Sequence, residues 1–408
     1  MTTDQRRGIG LEQLSERRQK HLWALMAAIA VCLAAATMWL FSFSRRHPQA
    51  AVPAYRIVYT VAEGSAGRLD TCDLQGKNVT QLTDSSDFDG FVAVQPGRRS
   101  DGQQLLAYIT LDGGLSRRSS EDEAAAGLSG SVHVSGVEGT SRQTVSEGLR
   151  IWPTAPSWSG DGSQLLFAAV QDLDSDGRAA LEELGLYTYD ASSLETKRVA
   201  DINGAVLELR RSPSEALAIV TVERGPTILS ELIDLETGAM LLDGPSPAAC
   251  WSPDGSQLAA YLPDERRVYL LYPDGTEVLS FDGPAAGVVD LVWAPTWPLG
   301  SGSGAGTLIA IAAPFGQESM NAGQLYVRRI TEDAAGWERV SGDQDYVLHM
   351  NASPDGRFLA YTLYRGSGNR PIPRADLMLL DLDSRQITPL TEGADFEGLA
   401  DWLLPPPN

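Results

Sequence analysis

Along most of the chain, short apolar runs alternate with polar clusters built on Ser, Pro, Asp and Gly, the spacing of strands and tight turns. One phrase recurs: a hydrophobic stretch, a polar turn with Asp-Gly, then an apolar strand. Its best copies are CWSPDGSQLAAYL from Cys250, NASPDGRFLAYTLY from Asn351 and SWSGDGSQLLFAAV from Ser157. Degenerate copies are RRSDGQQLLAYITL from Arg98 and RRSPSEALAIVTV from Arg210. Proline fixes one turn dihedral and glycine supplies positive φ, so SPDG predicts a tight reversal between two antiparallel strands.

A second strand follows each of these, as in LGLYTYD from Leu184, RVYLLYPDG from Arg267 and ADLMLLDLD from Ala375, and then a shorter third, as in TEVLSFDG, RQITPLTEG and KNVTQLTD. The result is a four-stranded unit about every 40 to 60 residues, the size of a propeller blade. One such unit cannot bury both faces of its sheet alone, so several must stack in a ring.

An all-β, seven-bladed β-propeller is therefore expected, with six or eight blades left open. The units fall at residues 54–84, 88–148, 149–201, 203–243, 246–283, 285–342 and 345–392. The first lacks its opening strand. FEGLADWLL from Phe396 resembles the opening strand of other units, particularly EGLRIWPTAPSW from Glu147, and is expected to close the ring by completing the first blade.

SPDG, followed by an apolar strand, an aromatic-rich strand and an LT ending (Leu82-Thr83, Leu390-Thr391), resembles the TolB-like, WD-repeat-like propeller family over most of residues 54–404. Two units depart from the pattern: Pro213 is followed by Ser214-Glu215, and Ala294-Pro295 leads into a long insertion. The resemblance implies a membrane-tethered propeller that binds a protein or peptide outside the cytoplasm without catalysis.

Ahead of the repeats, Leu22 to Phe43 reads LWALMAAIAVCLAAATMWLFSF, 22 residues without a charge. As a helix it would span about 33 Å, matching a bilayer core of roughly 30 Å. Trp23 and Trp39 stand near its ends, where indoles favour the interface. Arg6, Arg7, Arg17, Arg18 and Lys20 precede it and only Arg45 and Arg46 follow closely, which puts the N-terminus in the cytoplasm. The predicted order is a cytoplasmic tail (1–21), a transmembrane helix (22–43), a linker (44–53), the propeller (54–404) and a short tail (405–408). The competing reading is a signal peptide cut at Val52 to Ala54. It is disfavoured because the apolar stretch exceeds the usual 7 to 15 residues or so and Arg45/Arg46 lie before the cut.

Charge sharpens this picture. The net charge is −21, yet residues 1–46 hold seven Lys/Arg against three Asp/Glu, leaving 25 against 50 in residues 47–408. An acidic body repels phosphate backbones and excludes nucleic acid as an expected partner. Three cysteines, Cys32, Cys72 and Cys250, make no disulfide framework, so the fold must rest on its hydrophobic core.

Candidate chemistry is concentrated in DLDSDGRAALEE at residues 172–183. Asp172, Asp174 and Asp176 alternate so that an arched loop can point all three inward, Gly177 makes the sharp turn, Arg178 offers its carbonyl and Glu183 two oxygens. Calcium is the expected ion, in a structural role, because the flanks QLLFAAV and LGLYTYD read as strands and not as a regulatory helix pair. DLDSRQ from Asp381 serves as an internal control: Arg385 replaces the third acid, so a plain turn is expected there.

This loop is one of four long links between second and third strands, Asp112–Gly130, Gln171–Glu183, Pro314–Gly323 and Arg365–Arg374, which would converge on one face as a binding surface. Catalytic signatures are weak. His21, His47, His133 and His349 are dispersed without zinc spacing. No GxSxG elbow occurs, and GSGSGAG from Gly300 lacks the Lys-Ser/Thr of a phosphate loop. The acidic run Glu121–Glu123 reads as a solvated loop tip, and Trp152, Trp158, Trp251, Trp293 and Trp402 read as packing between blades. The alternatives to a binding scaffold are an extracytoplasmic sensor or carbohydrate-binding module and, less favoured, a hydrolase or lyase with acidic catalysts at the ring's centre.

Overall fold

The recurring turn folds alike in its copies because its residues satisfy one another. In Ser252-Pro253-Asp254-Gly255, the Ser252 hydroxyl donates to Asp254 Oδ1 (2.7 Å) and accepts from the Gln257 N–H (2.9 Å). The Ser256 N–H donates to the same carboxylate (3.1 Å), and the Gly255 N–H closes the turn on the Ser252 carbonyl (2.9 Å). Ser159 reaches Asp161 at 2.6 Å and Ser353 reaches Asp355 at 2.6 Å, with matching bonds from the Gln164 and Phe358 amides. Backbone groups that a reversal takes out of the sheet ladder are thereby paired locally. At DLDSRQ, Asp381 Oδ1 accepts from the amides of Asp383 and Ser384 (both 3.0 Å), an ordinary hairpin turn with Arg385 at φ 61°.

These turns join strands in a computed structural model that describes residues 54–84, 87–112, 130–137, 141–171, 183–296, 306–314, 322–330, 336–342, 345–366, 374–393 and 396–405. The expected membrane helix lies outside the described residues. Among the described residues no helix is long and apolar enough to cross a membrane.

In chain order the strands begin with β1 (Arg56–Glu63), β2 (Ala66–Asp73) and β3 (Thr80–Gln81), paired antiparallel in that order. The next set is β4 (Phe88–Val94), β5 (Leu105–Leu111), β6 (Gly130–Gly136) and β7 (Gln143–Thr144). There follow β8 (Arg150–Ile151) and β9 (Ser157–Trp158), both on β10 (Gln164–Val170), then β11 (Leu184–Asp190) and β12 (Thr196–Asp201). Pro153 and Pro156, which lack amide donors, break this opening strand in two.

Two regular sets come next. One is β13 (Ala205–Arg211), β14 (Leu217–Arg224), β15 (Thr227–Asp234) and β16 (Met240–Gly244). The other is β17 (Ala249–Trp251), β18 (Leu258–Leu262), β19 (Arg267–Leu271) and β20 (Glu277–Asp282). The last sets are β21 (Gly287–Pro295), β22 (Gly306–Ala313), β23 (Gln324–Ile330) and β24 (Glu338–Arg339), then β25 (Val347–Ala352), β26 (Phe358–Gly366), β27 (Arg374–Asp381) and β28 (Ile387–Pro389).

The final strand, β29 (Phe396–Leu403), returns to pair antiparallel with β1, with Ile57 opposite Trp402. The set begun by β1 thus takes its opening strand from the C-terminus. Opening strands neighbour one another around a closed circuit, with β4 beside β29 and β9, β9 beside β13, β14 beside β17, and β21 beside both β17 and β25, which returns to β29. This is a β-propeller ring, and the described residues are all-β.

Its core lies between the sheets and not within any one of them. Val58 and Leu69 pack with Leu106 and Tyr108, Leu166 and Leu186 with Leu209 and Val220, and Ile309 and Leu325 with Leu359 and Tyr361. The last interface, Leu377 and Leu379 against Ile57 and Trp402, closes the circle. Side chains such as Leu359 and Ile309 are fully buried, each contributing about 1.5–3 kcal/mol. Closing strands are the exposed rim, as in β16 and β20. Tryptophans tie one opening strand to the one before: Trp158 Nε1–H donates to Ala93 O (3.1 Å), Trp251 to Arg210 O (2.9 Å) and Trp402 to Asn351 O (3.1 Å).

Candidate functional site at the ring axis

Opening strands β13, β21 and β25 each carry a β-bulge after their first residues, and the residue immediately past it is Glu208, Asp290 and His349 respectively. A bulge bends its strand and re-aims the next side chain. The alternate residues Leu209, Leu291 and Met350 are buried in the cores between sheets, so period-2 alternation turns the polar ones to the other side. Three distant segments therefore present polar groups to one another at a common level of the ring.

Arg210 joins them. Its Nη2 lies 2.5 Å from Glu208 Oε1 and 2.6 Å from Asp290 Oδ1, and its Nη1 donates to the Leu291 carbonyl. The guanidinium reaches past the β17–β20 set to the β21–β24 set, bracing the ring across its centre. Side-chain exposures of 37% for Glu208, 17% for Arg210 and 19% for Asp290 reflect openings onto the axis, because protein surrounds all three.

The electrostatics follow from that enclosure. Burial raises both the Glu208 and the Asp290 carboxyl, and Arg210 opposes the rise. Burial lowers Arg210, but the two carboxylates outweigh it and hold the guanidinium firmly protonated. Burial also pushes His349 down to about 4, with Glu208 pulling up and Arg210 down, so its imidazole is neutral at pH 7. Cys250, next to the cluster, is a thiol pushed up to about 12 by burial and is no nucleophile at neutral pH. Asp401, on β29, is a further buried carboxylate bonded between opening strands: it accepts from the Val94 amide (2.6 Å), Asn351 Nδ2 (2.7 Å) and the Trp402 amide (2.8 Å), while burial raises it to about 6.

Of the expected metal ligands, Asp172, Asp174, Asp176 and Arg178 lie outside the described residues, and Glu183 stands at their edge. The feet of that loop are fastened. Arg198 donates from Nη1 and Nη2 to the Glu183 carbonyl (both 3.1 Å) and from Nη1 to Tyr187 Oη (2.9 Å), while the Tyr187 hydroxyl donates to Gln171 Oε1 (3.2 Å). Among the described residues no three His, Cys, Asp or Glu side chains stand together as a metal site.

The interiors of the four long links also lie outside the described residues, but their ends are placed. Leu111 pairs with Gly130, Val170 with Leu184, Ala312 with Gln324 and Gly366 with Arg374. Each of these ends adjoins the start of an opening strand, Phe88 opposite Leu111 and Gly287 opposite Ala313, so all four links leave the same end of the ring. The corresponding links after β1, β14 and β18 are short.

The axis cluster escaped sequence reasoning because His349 stands among dispersed histidines without zinc spacing and no local motif marks Glu208, Arg210 or Asp290. A usable signal existed: aligned on the turn phrase, His349 and Glu208 both stand four residues before its serine. His133 is also a strand residue, in β6. Cys72 and Cys250 are buried free thiols, and Trp158, Trp251, Trp293 and Trp402 are buried. His21, His47, Cys32 and Glu121–Glu123 lie outside the described residues, as does GSGSGAG apart from Gly306.

No family model and no curated protein matches the chain. Solved structures do resemble it. An oligogalacturonate lyase in complex with manganese aligns at 15% identity over 81% of this chain and 87% of that one, with a TM-score of 0.52. TolB from Acinetobacter baumannii aligns at 17% identity with a TM-score of 0.47, covering 85% of this chain and 66% of TolB. A chain of a mitotic checkpoint complex aligns at 15% identity over 75% of this chain and 83% of its own, with a TM-score of 0.48. At such identities the likeness concerns the propeller fold alone.

Proposed function

We propose that the chain is a seven-bladed, membrane-anchored propeller that works outside the cytoplasm as a non-enzymatic scaffold for a protein or peptide. The observation that carries this reading is the departure of four long links from one end of a rigid ring, the arrangement by which scaffolds present binding loops. The β10–β11 link is proposed to be clipped by calcium through Asp172, Asp174, Asp176, Arg178 and Glu183, an ion abundant enough outside cells to fill weak sites of about 10⁻⁴–10⁻³ M.

The test is affinity capture with the full-length protein in detergent, repeated after each long link is shortened to a hairpin turn. Loss of a partner on shortening is expected; an unchanged set of partners contradicts the reading. Calcium is tested by thermal unfolding with the ion and with chelator, since a ligand that binds only the folded state raises its stability. An unchanged midpoint with no bound calcium by elemental analysis removes the ion from the proposal.

The alternative is an enzyme acting at the axis, and the specific observation in its favour is neutral His349 beside Glu208. Against it, Arg210 already engages both carboxylates. Turnover of an acidic oligosaccharide such as oligogalacturonate by the purified protein, abolished by Glu208→Gln, would establish the enzymatic reading in place of the scaffold.

A further inference from the structure

The closing strand β29 pairs with β1, and its end is fastened to the turn of the β4–β7 set. Arg98 Nη2 donates to the carbonyls of Leu404 (2.9 Å) and Pro405 (2.7 Å), and the Leu404 amide donates to Gln104 Oε1 (3.0 Å). Within the strand, Asp401 reaches the opening strands on both sides. Its Oδ2 accepts from the Val94 amide of β4, and its Oδ1 from Asn351 Nδ2 of β25 and from the Trp402 amide. One carboxyl thus joins three consecutive opening strands where the two ends of the chain meet.

Elsewhere in the ring the same place is filled without a charge. Asp401 precedes Trp402 as Ser157 precedes Trp158 and Cys250 precedes Trp251. Ser157 Oγ accepts from the Arg211 amide of the next opening strand (3.0 Å), the counterpart of the bond between Asp401 and Val94. Cys250 is a thiol pushed up to about 12 by burial and is neutral. A hydroxyl therefore suffices to join one opening strand to the next. What the carboxyl adds on the closing strand is a group that can gain or lose a proton.

Burial raises the Asp401 carboxyl to about 6, outweighing the three donors that favour its ionised form. The strands packed against it carry Asp89 (β4), His349 (β25), Arg56 and Glu63 (β1), Arg365 (β26) and Asp376 (β27), with Glu397 on β29 itself, and none of these contributes to that shift. Ionised Asp401 is thus an enclosed charge without a counterion, which is costly. The neutral acid is fully accommodated: the Val94 and Trp402 amides keep their acceptors, and a half-turn of the Asn351 amide offers its oxygen to the new O–H. We propose that Asp401 makes the closing strand a pH-sensitive clasp: taking up a proton fastens β29 between β4 and β25, and losing it lets β29 part from β1 and from both neighbours. Parting returns the carboxyl to water and to about 3.9. Between about pH 4 and 6 the closed strand holds a proton that the open strand releases, so opening becomes more frequent as pH rises through that range and is constant above it. The clasp does not depend on the scaffold reading.

Hydrogen–deuterium exchange of the full-length protein in detergent between about pH 4.5 and 7 tests it, read in peptides covering residues 396–405 and corrected for the pH dependence of intrinsic exchange. The opening equilibrium of β29 is expected to rise by up to about tenfold per pH unit below about pH 6 and then to level off. The β8–β9 segment, joined to β13 through Ser157, should show no such rise. Asp401→Asn should make the opening of β29 independent of pH. Asp401→Ser, which installs the bond made by Ser157, should do the same and guards against an asparagine variant that fails to fold. Exchange of β29 that does not change with pH overturns the proposal, as does a dependence that survives either variant, or an equal dependence in β8–β9, which would place the titrating group elsewhere in the ring.

Discussion

Arg210 spans the ring axis to two carboxylates from different sheets, and in such an enclosed place the loss of one partner strands the others. Arg210→Met is expected to destabilise the protein by about 3–5 kcal/mol, and adding Glu208→Gln and Asp290→Asn should recover much of that. Urea denaturation at neutral pH measures both; a loss below about 1 kcal/mol would place the triad with surface pairs. The buried imidazoles give a second signature. His133 and His349 are both held down to about 4, so the unfolded chain binds more protons than the folded one from there up to about 6.5. Their contribution to stability is complete above that range and is lost as pH falls through it. Asp401, raised to about 6, has the opposite sign: its contribution is present at low pH and lost as pH rises through that value. Between about pH 6.5 and 4, His349→Gln should therefore flatten the fall in urea midpoint and Asp401→Asn should steepen it. Slopes identical to the parent in both variants would contradict the assignment.

The turn between opening and second strands does two jobs at once. Its Ser-Asp bonds hold the reversal, and its glycine lets the neighbouring sheet approach. Gly356 sits at φ 73°, and a Cβ there would lie 2.1 Å from the Pro295 carbonyl oxygen of the preceding set. Gly225, at φ 59° in the β14–β15 turn, has open space around it. Alanine should cost about 1 kcal/mol at Gly225, the conformational penalty alone, and clearly more at Gly356, where a backbone must also move. Equal losses in thermal or urea unfolding would show that the approach of the sheets does not constrain the turn. The turns were legible in sequence because every bond in them links residues no more than five apart. The broken opening strand β8–β9 was less so: EGLRIWPTAPSW reads as one strand, and only Pro153 and Pro156 signal the interruption.

A ring whose core lies entirely between sheets has no part that can be removed without exposing its neighbours. Deleting residues 396–405 takes β29 from β1 and with it Phe396, Ala400 and Trp402 from the packing of the last sheet against the first. The full chain is expected to lose its cooperative thermal transition on this deletion, or to melt at a much lower temperature, as followed by calorimetry or circular dichroism. An unchanged transition would mean that the ring is held without its closing strand. Sequence alone determined the all-β character, the repeating sets of strands and the origin of the closing strand, because turn chemistry and alternation are local and repeat along the chain. What chemistry meets at the centre was decided only by tertiary structure. Arg210 and Asp290 are 80 residues apart, and Asp89 Oδ2, which accepts no hydrogen bond, is sealed in only when the first two sheets close over it. Neither follows from spacing, since ring closure, not local sequence, determines which strand faces which.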